Sequence, residues 1–130
     1  MKTLYIIRGL PGSGKSTIAR LLAPKSNVAN DDYFTDPEGN YSFDPSKKRD
    51  ALNYCKDKVE FFMEREYDII AVHNTFVLVE HMNDYIKLCG EYGYTFNVIE
   101  CKCDFGNVHS VPQNVLERMR DGFEPYTYTK

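Results

Sequence analysis

Residues 9–16 read Gly-Leu-Pro-Gly-Ser-Gly-Lys-Ser, a complete Gly-x-x-x-x-Gly-Lys-Ser pattern. Such a stretch wraps backbone N–H groups around phosphate oxygens and leads into the start of a helix. Lys15 would reach the β- and γ-phosphates, and the hydroxyl of Ser16 would coordinate Mg²⁺. The pattern therefore predicts a nucleoside triphosphate site, formed by Gly9, Leu10, Pro11, Gly12, Ser13, Gly14, Lys15, Ser16 and Thr17.

Two adjacent acids, Asp31 and Asp32, follow a short apolar segment downstream of that loop. Phosphoryl transfer to a hydroxyl usually needs a group that takes the proton of the acceptor. Either carboxylate could supply this general base. The structural alternative is that both acids cap a helix or order a turn.

His73, Asn74 and Thr75 follow a second apolar segment, where many phosphate-loop proteins place an Asp that holds the metal ion. A neutral imidazole cannot replace a carboxylate as a ligand of a hard cation, so His73 is not expected to hold magnesium. Two interpretations of His73 stay open. Either it hydrogen-bonds to the acceptor, or it is a structural residue whose hydrogen bonds are satisfied at the edge of the sheet. Asn74 and Thr75 are candidates to contact the acceptor directly or to position the residues that contact it.

A kinase also needs a cation over the transferring phosphoryl group, beyond the lysine of the loop. Arg118 and Arg120 lie two residues apart on a predicted helix and therefore on different faces, so at most one should face the site. The alternative for each is a solvated surface charge. His109, in the preceding loop, is a further candidate.

Strand and helix patterns alternate along the chain. Residues 33–43 contain Pro37, Gly39 and Asn40 and are predicted to form a turn-rich insertion. The alternation predicts an α/β fold, one domain over residues 1–130 with a short parallel sheet of about four strands flanked by helices. The loops after the strands should converge at one edge of the sheet. Strands are predicted at 4–8, 27–30, 67–72 and 95–100, and helices at 16–22, 44–65, 80–92 and 112–120. The second of these helices is predicted to have Asp44 as its N-cap and Pro45 as its first residue.

The composition, with 42% hydrophobic and 27% charged residues, is that of an ordinary globular protein. We expect a cytosolic protein without a membrane segment, because there is no long apolar run and no signal-like N-terminus. The net charge of −3 argues against a nonspecific binder of polyanions, but not against a nucleic-acid end as substrate. Cys101 and Cys103 have the wrong spacing for a zinc ribbon, so reduced thiols are expected.

Further motifs follow the phosphate loop in order. Together they resemble the small P-loop kinases of the polynucleotide 5′-hydroxyl kinase and zeta-toxin-like group, above all its single-domain phage and bacterial members. The resemblance implies the three-layer P-loop NTPase fold, with ATP and Mg²⁺ as cofactors. It also implies that Asp31 is the general base and that Asp32 orders the site. The motifs are Asn30-Asp31-Asp32-Tyr33-Phe34, Tyr41-Ser42-Phe43-Asp44-Pro45, Asn74-Thr75-Phe76, Val108-His109-Ser110-Val111-Pro112 and Phe123-Glu124-Pro125.

The chain departs from that group at three positions. His73 stands where relatives carry Asp, Gly106 stands where they carry the arginine of the lid, and Phe123 stands where they carry Trp. A cation such as the lid arginine is worth about 10³–10⁵-fold in the rate of phosphoryl transfer. Either Arg118 or Arg120 therefore substitutes for it, or the protein binds ATP and transfers phosphate poorly.

The sequence thus predicts an ATP-dependent phosphotransferase acting on a hydroxyl, with a nucleic-acid 5′ end as the leading acceptor. Two alternatives stay open: a kinase of sugar nucleotides or other small metabolites, and a nucleotide-binding regulatory protein with weak catalysis. The acidic pI favours a small or short acceptor over a long duplex. The predicted catalytic residues are Lys15, Asp31, Arg118 and Arg120, the acceptor-binding residues are Asp32, His73, Asn74, Thr75 and His109, and the metal-binding residue is Ser16.

Overall fold

A parallel sheet forms the centre of the computed structural model, which describes residues 1–102 and 111–126. Its strands are arranged in the order β2-β3-β1-β4, and all of their pairings are parallel. The predicted α/β fold with a short parallel sheet is therefore confirmed. The strands are β1 (Thr3–Gly9), β2 (Asn27–Val28), β3 (Ile69–Asn74) and β4 (Thr95–Cys101).

Helices cover both faces of this sheet and complete three layers. On one face, Ala19 and Ala23 of α1 pack with Ile7 and Ala71 of the sheet. On the other face, α2 and α3 enclose the larger apolar cluster, which includes Leu4, Ile6, Ile70 and Val72 of the strands. None of the helices in the described residues is long and apolar enough to cross a membrane. The helices are α1 (Lys15–Leu22), α2 (Lys48–Glu64), α3 (Asn83–Tyr92) and α4 (Gln113–Gly122).

The register of the strands brings their carboxyl ends to one edge. Arg8 pairs with Asn74, Ile7 pairs with His73, and Gly9 pairs with Cys101. Because side chains alternate between the faces of a strand, His73 shares the α1 face with Ala71, and Asn74 shares the other face with Val72. The two neighbouring polar residues therefore serve opposite sides of the sheet.

The boundaries of β2 and β3 differ from the predicted ones. β2 ends at Val28, and Asn30–Phe34 forms a 3-10 helix, so Asp31 and Asp32 lie on a helical turn instead of directly after a strand. β3 starts only at Ile69, because the backbone N–H of Tyr67 still bonds to the carbonyl of Phe62 at the end of α2. It then continues to Asn74, so His73 and Asn74 belong to the strand itself.

The segment before α2 has the predicted cap. The carboxylate of Asp44 accepts a hydrogen bond from the backbone N–H of Ser46 at 3.0 Å, and Pro45 is the first residue of a 3-10 turn, Pro45–Lys47, that leads into the helix. A further 3-10 turn, Val79–Met82, precedes α3. These two turns determine where α2 and α3 begin.

Candidate active site

The phosphate-binding loop joins β1 to α1 through backbone conformations that require glycine. Gly12 has φ 81° and Gly14, which caps α1, has φ 96°, both in the left-handed region. A Cβ atom on Gly9 would clash with the Ser13 hydroxyl and lie 2.7 Å from the carbonyl oxygen of Cys101. A side chain at Gly9 would therefore push the loop away from β4.

Lys15 folds back over this loop. Its ammonium donates a hydrogen bond to the carbonyl oxygen of Leu10 at 3.0 Å. Burial lowers the pKa of Lys15, while the negative charge of Asp31 and the nearby Cys101 oppose that decrease. The lysine of the loop and the first acid of the Asp31-Asp32 pair are thus close enough to interact electrostatically.

The turn that carries Asp31 is tied to its neighbours by two bonds. The backbone N–H of Asn30 donates to the side-chain oxygen of Asn74 at 2.7 Å, and the hydroxyl of Tyr41 donates to Asp31 Oδ1 at 3.3 Å. Burial and the nearby Asp31 carboxylate raise the pKa of Tyr41 to about 12, so this hydroxyl stays protonated and keeps donating. Asp31 is therefore held as a hydrogen-bond acceptor beside the phosphate loop.

The carboxylate of Asp32 bonds to the backbone just before its own 3-10 helix. Its Oδ2 accepts a hydrogen bond from the backbone N–H of Ala29 at 2.9 Å, which closes the first turn of the 3-10 helix. Burial raises the pKa of Asp32, and the bond from Ala29 partly offsets that increase. In this geometry Asp32 orders the turn on which Asp31 lies.

His73 is buried, with 6% of its surface exposed, and its Nε2 has no hydrogen-bond partner among the described residues. Burial and the positive charges of Lys15 and Arg20 lower its pKa to about 4. The imidazole is therefore neutral at neutral pH, near the positive charges of Lys15 and Arg20. A neutral ring nitrogen does not fit the oxygen-donor set that Mg²⁺ prefers.

Asn74 and Thr75 connect the end of β3 to its surroundings. The Asn74 amide accepts from Asn30 and also donates to the Sγ of Cys55 in α2 at 3.6 Å, so both ends of this side chain are used inside the protein. The backbone carbonyl of Thr75 accepts from the N–H of Gly9 at 3.3 Å. Asn74 supports the turn of Asp31, and Thr75 supports the phosphate loop.

Arg8 is a residue of this site that the sequence patterns did not reveal. It is fully buried at the end of β1, and its guanidinium donates to the carbonyl of Phe76 at 2.7 Å and to that of Val77 at 3.1 Å. The same guanidinium lies 4.2 Å from the centre of the Phe123 ring. The only signal in the sequence is a charged residue inside an otherwise apolar strand, directly before Gly9.

Glu124 completes the connection between these segments. Its backbone N–H donates to the carbonyl of Val77 at 2.8 Å, and its carboxylate accepts from the backbone N–H of Val79 at 2.7 Å. Burial lowers the pKa of Arg8, and the charges of Glu100 and Glu124 oppose that decrease. The end of α4 is thus fastened to the loop after β3 and to the base of the phosphate loop.

A cleft of about 320 Å³ lies between the phosphate loop and the end of α4. Both arginines of α4 are exposed, but Arg120 lines the cleft and Arg118 is not among its described lining residues. His109 lies outside the described residues. Because β4 and β2 lie on opposite sides of β1, this cleft and Asp31 flank the phosphate loop from two sides. The lining residues are Gly9, Leu10, Ser13, Glu100, Cys101, Lys102, Arg120 and Phe123.

The residues around the loop fit a bound triphosphate with magnesium. The hydroxyl of Ser13, the side-chain oxygen of Asn30 and Nε2 of His73 are buried and have no partner among residues 1–102 and 111–126. Buried polar atoms of this kind commonly bond to a water, an ion or a ligand. Ser16 is exposed at the start of α1, and Mg²⁺ usually takes one or two protein oxygens, with phosphates and waters as its other ligands.

Comparison with known sequences gives a family and a partial relative. A family profile described as an AAA domain matches residues 4–126. The 2',3'-cyclic-nucleotide 3'-phosphodiesterase of Rattus norvegicus is 32% identical over 109 residues, which cover 78% of this chain and 24% of that protein. The chain thus spans about a quarter of the length of this relative.

Comparison with solved structures identifies the fold. A chain of the Pnkp1/Rnl/Hen1 RNA repair complex superposes with a TM-score of 0.67 at 20% identity, covering 94% of this chain and 44% of that chain. A gluconokinase from Sinorhizobium meliloti 1021 gives 0.62 at 11% identity, covering 95% and 75%. At these identities the likeness shows a P-loop kinase-like fold. Membership of the polynucleotide kinase and zeta-toxin-like group remains a prediction.

Proposed function

We propose a function for this chain, which belongs to the AAA domain family. The chain is an ATP-dependent phosphotransferase whose acceptor is a nucleic-acid 5′-hydroxyl. The observation that carries the proposal is the placement of Asp31. It interacts electrostatically with Lys15 of the phosphate loop, and it lies on a turn fastened to β3 through Asn30. A phosphate site and a held carboxylate side by side are what transfer to a hydroxyl requires.

In the proposed reaction, the backbone of residues 9–16 and the ammonium of Lys15 hold the phosphates of ATP. Asp31 takes the proton of the acceptor hydroxyl while the acceptor oxygen bonds to the γ-phosphorus. The bond from that phosphorus to the β–γ bridging oxygen breaks, and ADP leaves. Magnesium held at Ser16 would neutralise phosphate charge. Arg120, which lines the cleft beside the phosphate loop, would add a second positive charge.

The acceptor is proposed from two kinds of support. The solved neighbour comes from a complex whose name states RNA repair, and the curated relative is named for a nucleotide substrate. The gluconokinase is the less similar of the two solved neighbours, with 11% identity and a TM-score of 0.62, so its name supports a sugar acceptor less strongly. The motif Asn30-Asp31-Asp32-Tyr33-Phe34 resembles the one found in polynucleotide kinases, which adds to the same proposal.

An acceptor screen tests this function. The protein is incubated with γ-labelled ATP and with 5′-hydroxyl oligonucleotides, 5′-phosphorylated oligonucleotides or a panel of sugar nucleotides. We expect label on the 5′-hydroxyl strands alone, and none with the Lys15→Ala variant. Label on sugar nucleotides only would establish a small-metabolite kinase instead. Tight ATP binding without transfer to any acceptor would favour a regulatory protein.

A further inference from the structure

Five aromatic rings form a connected cluster beside Asp31 that the transfer step does not use. We call it the ring cluster, and its members are Tyr33, Phe34, Tyr41, Phe43 and Tyr54. Neighbouring ring centres lie 5.1 to 6.5 Å apart, in edge-on or tilted arrangements. Tyr41 also donates its hydroxyl to Asp31, so the cluster reaches the candidate base directly.

Much of the ring cluster faces outward. The exposed fractions of Tyr33, Phe43 and Tyr54 are 37%, 47% and 37%. Single exposed aromatics are ordinary on a protein surface, but contiguous ones mark places where a ligand or partner binds. Three exposed rings in one cluster therefore form a surface that suits a ligand with flat apolar faces.

Residues 33–43, which carry four of the five rings, are held by hydrogen bonds of their own, and the fifth ring, Tyr54, lies on α2. Thr35 and Tyr41 make an antiparallel bridge, and the backbone N–H of Ser42 bonds to the carbonyl of Phe34 at 2.9 Å. The turn between them is closed by Asp36, whose carboxylate accepts from the backbone N–H of Asn40 at 2.8 Å. The rings are thus positioned before any ligand arrives, which lowers the entropic cost of binding.

Basic residues adjoin the rings. A cleft of about 400 Å³ beside Tyr33 and Phe34 is also lined by Lys47, the first of three consecutive exposed cations, Lys47, Lys48 and Arg49. The acids that line the same cleft have local bonds: Asp36 accepts from Asn40, and Asp44 accepts from Ser46. Rings next to a short basic run suit bases that stack and phosphates that pair with cations.

We propose that the ring cluster binds the bases of a single-stranded 5′ end, with the terminal hydroxyl at Asp31 and the following phosphates near Lys47, Lys48 and Arg49. This proposal rests on the proposed function and names the form of its acceptor. A single strand offers the faces of successive bases for stacking, whereas a blunt duplex exposes only the outer face of its terminal base pair. The enzyme should therefore prefer single-stranded ends.

Anisotropy of a labelled 5′-hydroxyl oligonucleotide measures this binding without any need for phosphoryl transfer. Phe43→Ala and Tyr54→Ala each remove one exposed ring, and each should weaken the Kd for the single strand by about fivefold to a hundredfold. The affinity for ATP should not change in either variant. Phe61→Ala is the matched control, because Phe61 is 37% exposed on α2 and lies outside the ring cluster.

The basic run is tested by salt. Replacing Lys47, Lys48 and Arg49 together by alanine should flatten the plot of log K against log salt by about 0.7 for each phosphate that these side chains neutralise. Unchanged strand binding in both ring variants, relative to Phe61→Ala, would overturn the ring-cluster proposal even if the wild type phosphorylates oligonucleotides. A wild type that binds blunt duplex as tightly as single strand would overturn it as well. Strand binding that depends on the rings, without any transfer of label, would instead contradict the proposed function alone.

Discussion

The backbone N–H of Asn30 donates a hydrogen bond to the side-chain oxygen of Asn74 over 2.7 Å. Asn74 is the last residue of β3, and Asn30 begins the 3-10 helix that carries Asp31. The same amide donates to Cys55 in α2, so one buried side chain joins a strand, a helix and the turn of the candidate base. The position of Asp31 therefore depends on Asn74.

Removing that amide should separate catalysis from nucleotide binding. Asn74→Ala leaves the partly buried N–H of Asn30 without its acceptor, which should cost about 1 kcal/mol of unfolding free energy. We expect the rate of transfer to fall at least tenfold while the affinity for ATP stays within twofold. Asn97→Ala, at an exposed position of β4, is the control, and equal rates in the two variants would contradict the positioning role.

Asp31 is the general base in the proposed transfer. Asp31→Asn keeps the shape of the side chain but cannot take a proton, so the rate should fall about 10²–10⁴-fold, the usual contribution of general base catalysis. ATP affinity, measured by calorimetry, should be nearly intact. Asp57→Asn, on the exposed surface of α2, should behave like the wild type. An Asp31→Asn enzyme at full rate would show that another group is the base.

Arg118 and Arg120 form a natural matched pair on α4. Only Arg120 lines the cleft beside the phosphate loop, so Arg120→Ala should lower kcat/KM for ATP at least tenfold, because it removes a cation near the transferring group. Arg118→Ala should change the same constant less than twofold. The reverse pattern in steady-state kinetics would place the working arginine at Arg118.

Much of this arrangement could be predicted from local patterns. The loop at residues 9–16 needs particular residues at fixed spacing, and the alternation of apolar strands with amphipathic helices determines a parallel sheet. The cap at Asp44 could also be predicted, because its partner Ser46 is only two residues away. Interactions between residues that are close in the sequence can therefore be predicted from local patterns.

Contacts between distant residues could not be read in this way. β3 continues through His73 and Asn74 because β1 and α2 supply partners that no local pattern reveals. The role of Arg8 depends on Phe76 and Phe123, which are far from it in the sequence. A polar residue at the end of a buried strand can be a ligand or a support, and only the fold distinguishes the two.

The bonds of Arg8 predict a large effect on stability. Arg8→Met keeps much of the volume but leaves the carbonyl of Phe76 without its donor and removes one of the two donors to the carbonyl of Val77, which should cost about 1–3 kcal/mol of unfolding free energy. Urea denaturation measures this decrease. Arg49→Met, at an exposed cation, should stay within about 0.5 kcal/mol of the wild type. Equal midpoints for the two variants would mean that the Arg8 bonds contribute little.

His73 should make the protein sensitive to acid. Its pKa is lowered from 6.5 to about 4 in the folded state, so an unfolded chain binds a proton at this residue at a higher pH than the folded chain does. Its contribution to stability is therefore complete above pH 6.5 and declines as the pH falls from 6.5 towards 4. At about 1.36 kcal/mol per pKa unit, the full decrease is about 3 kcal/mol.

The measurement is the free energy of unfolding in urea at about pH 7 and about pH 4.5, for the wild type and for His73→Gln. Because glutamine has no proton to bind in this range, the variant should lose less stability between the two pH values than the wild type does. His81→Gln, at an exposed histidine near the start of α3, should show the full decrease of the wild type. If His73→Gln loses as much stability as the wild type, the acid sensitivity comes from groups other than His73.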